Sequence, residues 1–191
     1  MAHQNLSTTP LAQLRLSSLS PQDLVAPNFR FAELSVSEIA ARRGIDNRID
    51  SDEKLRAAVH LARQVLQPLR DAFGPFAPNS VFRSQALERV LKGKAVNWLS
   101  TSQHTLGRAC DVEIVGMPTL VLAQWASQNL AEFDQIICEC HDPALGPNSG
   151  WVHVSLVPPG QGKNRRQVLS YVVDPATGEL RYVAGLHPSA T

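Results

Sequence analysis

Between Ser102 and Asp111 the chain reads Ser-Gln-His-Thr-Leu-Gly-Arg-Ala-Cys-Asp, which sets His104 and Asp111 seven residues apart around a small-residue turn. Past the turn, Cys110, Val112 and Ile114 alternate with Asp111 and Glu113, so a strand must follow with Asp111 on its polar face. A neutral imidazole nitrogen and a carboxylate oxygen are both good zinc ligands, at roughly 2.0–2.2 Å. A hydrolytic zinc takes three protein ligands and leaves one position for water, so the segment reads as half of such a site. His153, in Gly150-Trp151-Val152-His153-Val154-Ser155, is the candidate third ligand. Val152, Val154 and Leu156 alternate as one apolar strand face and place His153 on the other.

Around this core the chain reads as α+β. Residues 1–27 are rich in Ser, Thr, Gln and Pro and form an extension expected to be flexible or loosely docked. A short helix is expected from Ser35 to Arg43, stopped by Gly44. A long one follows, with Asp50 as its cap, Glu53 as the capping-box partner and an apolar stripe from Leu55 to Phe73. Pro68 should kink that helix or mark a tighter last turn. Asn79 to Phe82 reads as a short strand that delivers Arg83, Gln85 to Leu91 as a weak helix, and Pro118 to Leu130 as a helix with proline in its first turn. Gln135 to Cys140, Trp151 to Val157, Gln167 to Val173 and Leu180 to Val183 read as strands, the last two joined by a turn over Asp174 to Gly178.

The ten-residue segment matches Ser-x-His-x-x-Gly-x-Ala-x-Asp at every fixed position. Together with Trp-Val-His-Val-Ser it resembles the zinc D-alanyl-D-alanine carboxypeptidases and L-alanyl-D-glutamate endopeptidases that cut peptidoglycan stem peptides. Asn28-Phe29, Glu33-Leu34, Gly44 to Asn47, Leu66 to Arg70, Phe82-Arg83-Ser84 and Phe133 to Ile137 extend the similarity to the small, phage-associated branch of that family. The resemblance implies N-terminal helices packed on a mostly antiparallel sheet, as in the D-Ala-D-Ala carboxypeptidase and Hedgehog-like fold, in a domain spanning residues 28–187. It also implies one zinc per chain, held by His104, Asp111 and His153. Many relatives place the catalytic carboxylate three residues before the third ligand, where this chain has Gly150; others use a histidine where it has Trp151.

Strand pairing on paper offers another base. With Cys138 opposite Val154 and Cys140 opposite Val152, the apolar residues share one face and Glu139 lies directly opposite His153. Glu139 is then the candidate general base, the branch's acidic residue at the end of the preceding strand, with Asp142 and His141 as substitutes. Arg83 is a candidate for holding an oxyanion or a substrate carboxylate. Ser102 either hydrogen-bonds the peptide or fixes the turn, and Trp151 joins Arg83 and Ser102 as a candidate substrate contact. Cys138-x-Cys140-His141 is rejected as a main metal site, because thiolates one residue apart point to opposite faces of a strand.

Composition narrows the partners. A net charge of +1 gives no electrostatic case for nucleic acid or an acidic membrane surface, and no apolar run is long enough for membrane insertion. Three cysteines form no disulfide framework and read as reduced, buried small hydrophobes. The N-terminus lacks the pattern of a secretory signal, so synthesis is expected to leave the product in the cytoplasm. Action on peptidoglycan then calls for a membrane-permeabilising lysis partner, a place in a virus particle, or release by lysis. Three readings stand: a zinc peptidase acting on stem peptides, a virion or wall-binding component, and a catalytically silent zinc-stabilised domain.

Overall fold

The computed structural model describes residues 3–174 and 176–187. Met1 and Ala2 of the expected extension, and Pro175 of the expected turn, lie outside them. The elements are strands β1 (Leu24–Ala26) and β2 (Phe29–Arg30), helices α1 (Glu38–Arg43), α2 (Asp52–Leu61), α3 (Gln67–Phe73) and α4 (Gln85–Leu91), strand β3 (Ala109–Val112), helix α5 (Thr119–Asn129), and strands β4 (Gln135–Glu139), β5 (Trp151–Ser155), β6 (Gln167–Val173) and β7 (Leu180–Ala184). β3 to β7 form one sheet in the order β3-β5-β4-β6-β7, parallel only between β4 and β6. The architecture is the expected α+β, with helices on one face of a mostly antiparallel sheet. No helix among the described residues is long and apolar enough to cross a membrane.

Alternation builds the core. Cys110 and Val112 of β3, Ile136 and Cys138 of β4, and Val152 and Val154 of β5 share one buried face. They join a single apolar cluster with Leu55, Ala58 and Val59 of α2 and Leu122, Ala123 and Ala126 of α5. The opposite face of the same strands presents Asp111, Glu139, Trp151 and His153. One sheet thus carries the packing on one side and the chemistry on the other.

Several local expectations shift. Ser37 rather than Ser35 opens α1, accepting a hydrogen bond from the Ala40 amide, while Gly44 ends it at φ 63° as expected. Ser51, not Asp50, caps α2 by accepting from the Lys54 amide; Asp50 pairs with the Lys54 ammonium instead. Pro68 does not mark a tighter last turn; it falls in the first turn of α3. Residues Ala62–Leu66 widen into a π turn just before it, which accommodates the missing backbone donor between the contiguous α2 and α3. Residues 79–82 form no strand, only an isolated bridge between Ser80 and Asp111.

The N-terminal segment, expected to be loose, is pinned. Leu14, Val25 and Ala26 are buried, and Leu6, Leu11, Leu16 and Leu19 pack against the core. Asp23, 1% exposed, accepts from the backbone amides of Gln4 and Ser20. Arg63, in the π turn, donates to the carbonyls of Val25 (2.8 Å), Thr9 (2.7 Å) and Leu6 (2.6 Å). The short apolar runs of this segment alternate too irregularly to show a periodicity, and part of its hold comes from one distant arginine. Replacing Arg63 by Met, which keeps length but no donor, is expected to destabilise the protein by about 2–3 kcal/mol in urea unfolding and to expose residues 3–26 to proteolysis first.

Candidate metal centre

The segment before α4 sets the geometry of the site. Asn47 fixes it by donating to the carbonyls of Ser35 and Phe82 and accepting from the Ser84 amide. Its neighbours then run beside both halves of the motif. The Asn79 amide donates to the Asp111 carbonyl, the Asp111 amide to the Ser80 carbonyl, and the Arg83 amide to the His104 carbonyl.

Within the motif, Ser102 caps a short 3-10 turn over Gln103–Leu106, its hydroxyl accepting from the His104 amide at 3.3 Å. Gly107 ends the turn at φ 68°, and a Cβ there would lie 2.7 Å from the Lys54 carbonyl of α2. Glycine is needed at this point both for the left-handed backbone and for the close approach of the helix.

The turn brings His104 and Asp111 together, and strand pairing places His153 directly opposite Asp111. All three are buried, at 3%, 6% and 8% exposure. One ligand atom from each lies within 4.8 Å of the other two, a spacing that could hold a metal ion. His104 Nδ1 donates to the Val81 carbonyl at 2.7 Å, which leaves the Nε2 lone pair facing Asp111 Oδ1 at 3.3 Å. His153 Nδ1 lies 3.0 Å from the same oxygen. Two imidazole nitrogens and one carboxylate oxygen converging on a point is a donor set that fits zinc.

Electrostatics favour a charged Asp111 and neutral His104. Burial opposes the charge on Asp111, yet its close contacts with His104 and His153 and the Arg83 charge hold its carboxyl far below the usual range. Burial lowers His104, only partly offset by Asp111. Arg83 reaches Asp111 Oδ2 through Nη2, Glu88 Oε1 through Nη1 at 3.3 Å and Ser80 Oγ through Nε at 2.7 Å. Glu88 itself is fully buried and also accepts from the Ser100 hydroxyl at 3.0 Å.

The strand register differs from that drawn on paper. Ile137 lies opposite His153 and Glu139 opposite Trp151, a slip of two residues that keeps every side chain on its expected face. Cys140 cannot extend the pairing because it leaves the strand at φ 55°. Glu139 is therefore diagonal to His153, a separation of roughly 7–8 Å between paired positions that long side chains still bridge. Burial raises the Glu139 carboxyl above its ordinary value, tempered by His153, Arg83 and the indole N–H of Trp151. That indole N–H is itself buried and makes no hydrogen bond of ordinary length among the described residues.

Gly150 explains why no carboxylate stands three residues before His153. It adopts φ 71°, and a Cβ there would fall 2.1 Å from the Glu139 carbonyl oxygen. The end of β4 fills the space that a side chain at 150 would need. The substitutes for Glu139 are placed elsewhere: Asp142 caps the turn Pro143–Leu145, and His141 is 4% exposed with Nδ1 3.1 Å from the Ser149 hydroxyl. Cys138 and Cys140 stay protonated thiols, with burial pushing Cys138 up to about 12. Cys140, outside the strand and only partly buried, departs from the expected buried strand residue.

His104, Asp111, His153, Glu139, Arg83, Ser102 and Trp151 all line one cleft of about 580 Å³. Sequence patterns did not mark Glu88, nor Gln103, whose amide lies between His153 and Asp134. Glu88 sits beside Leu87 on a short helix, and Gln103 occupies a variable position of the motif, so neither carries a spacing signal.

An α+β domain with two histidines and an aspartate converging in a cleft defines a centre that could hold a metal ion. A sequence profile of the Peptidase M15 family matches residues 27–155, and the chain belongs to that family of zinc peptidases, related to the D-Ala-D-Ala carboxypeptidases. Its members are metal-dependent peptidases. No curated protein matches the chain.

Replacing Gly150 by Ala is expected to cost about 2–4 kcal/mol in urea unfolding, since the strained φ and the overlap with β4 add.

Proposed function

We propose that the protein hydrolyses peptide bonds in peptidoglycan stem peptides, with one zinc per chain held by His104, Asp111 and His153. The observation that carries this reading is the convergence of these three side chains in the cleft of a Peptidase M15 member, with Glu139 on the same sheet face. Zinc, when bound, supplies a Lewis acid that activates water and polarises the scissile carbonyl.

The remaining chemistry belongs to the chain. The Glu139 carboxylate takes the proton of the attacking water and returns it to the leaving amine. Its raised pKa makes it a better base than an exposed glutamate and keeps it a usable acid once protonated. Arg83 stabilises the developing oxyanion or a substrate carboxylate with donors left over from Asp111, Glu88 and Ser80. Being fixed by those three groups, it meets the charge without having to reorganise. Trp151 offers its ring to the peptide, and Ser102 contributes chiefly by holding the turn that carries His104.

Purified protein loaded with zinc is expected to bind about one ion per chain and to release soluble peptide fragments from purified sacculi, with chelator abolishing release. Glu139→Gln should retain the zinc and lose about 100-fold or more in turnover. Full activity in that variant removes Glu139 as the base. Zinc binding without any release by the unaltered protein would identify a silent domain, and binding to sacculi without release a wall-binding component.

A further inference from the structure

His153 has an oxygen facing each of its ring nitrogens. Nδ1 lies 3.0 Å from Asp111 Oδ1, on the side where His104 Nε2 converges, and Nε2 lies 3.5 Å from Gln103 Oε1. Which nitrogen carries the proton decides whether the ring can bind a metal at the first position, because a protonated nitrogen has no lone pair to give.

The far end of Gln103 makes that choice. Its Nε2 donates to Asp134 Oδ2 at 2.8 Å, and an ionised carboxylate can only accept. Asp134 is 2% exposed and cannot turn away: Oδ1 accepts from the Arg165 amide at 2.9 Å and from Arg165 Nε at 2.8 Å, and Oδ2 also meets Arg165 Nη2. With its nitrogen committed to Asp134, the Gln103 amide has only its oxygen left for His153. An oxygen in that place calls for a proton on Nε2.

We propose that Gln103 is a positioning residue that holds His153 in the Nε2-protonated tautomer, leaving the Nδ1 lone pair for the metal, and that Asp134 and Arg165 orient Gln103 for this task. The inference rests on the reading of His153 as a metal ligand. Without Gln103 a neutral His153 ring would place its proton on Nδ1, donating to the charged Asp111 oxygen and blocking the lone pair. His104 is locked by the same logic from the Val81 carbonyl, so both histidines are set from behind. Only the lock on His153 is a side chain, and it can therefore be removed without touching the backbone.

The test is Gln103→Met, which keeps the side chain's length but loses both the amide donor and the amide oxygen. Zinc affinity is measured by chelator competition, and the protonated nitrogen of His153 is read from long-range proton–nitrogen NMR of the zinc-loaded unaltered protein. The expected results are a proton on Nε2 in the unaltered protein and about tenfold or greater weakening of zinc binding in the variant, with the zinc-free form still folded and its urea midpoint lowered only by the loss of the Asp134 contact. A residue that merely packs would leave the affinity as it was. Unchanged affinity in the variant, or a proton on Nδ1 in the unaltered protein, overturns the role of Gln103; the NMR result stands whether or not the variant folds. Failure of the unaltered protein to bind zinc at all overturns the proposed metal centre itself, and this role with it.

Discussion

Asp111 is a buried carboxylate that meets Arg83, His104 and His153 at once, and its backbone is tied on both sides to the segment before α4. Taking a charge out of water costs several kcal/mol unless its partners are close and well aimed. Here the compensation comes from three separate parts of the chain, so the Asp111 environment exists only when the motif turn, the Arg83 segment and β5 are assembled together. Removing any one partner leaves a buried charge exposed to the full desolvation cost. The candidate site and the tertiary fold are in this sense the same set of interactions.

Two glycines define where the surrounding elements can go. Gly107 lets the motif turn pack against α2, and Gly150 lets the start of β5 press against the end of β4. The second contact bears directly on the chemistry. It excludes a side chain where many relatives carry their catalytic carboxylate, while Glu139, on the strand that fills the space, lines the cleft beside Asp111 and Glu88. Arg83 and the two histidines are each held by groups behind them: Glu88 and Ser80 for Arg83, Val81 for His104, Gln103 for His153. Such outer contacts orient ligands and raise their readiness to bind.

The parts of the fold that repeat were legible in the sequence. Alternation around Cys110, Cys138 and Val152 marked the strands and their buried face, the threes and fours from Leu55 marked the long helix, and the ten-residue motif with a downstream strand histidine brought out the three candidate ligands. Contacts without a period were hidden. The register of β4 on β5 slipped by two because pairing by hydrophobic face is satisfied equally well at every second residue, and only the positive φ of Cys140 breaks the tie. Arg63 anchors an N-terminal segment whose leucines look like loose chain, and Pro68 is accommodated by a π turn that no local rule anticipates. Glu88 and Gln103 act through hydrogen bonds to residues far away in sequence, which leave no trace in spacing.

The central claim is that His104, Asp111 and His153 form one metal centre. Diffraction from crystals grown with zinc, collected at and below the zinc absorption edge, tests it most directly. A single anomalous peak between His104 Nε2, the Asp111 carboxylate and His153 Nδ1 is the expected result. The absence of a peak there, or a peak held instead by Cys138, Cys140 or His141, would contradict it.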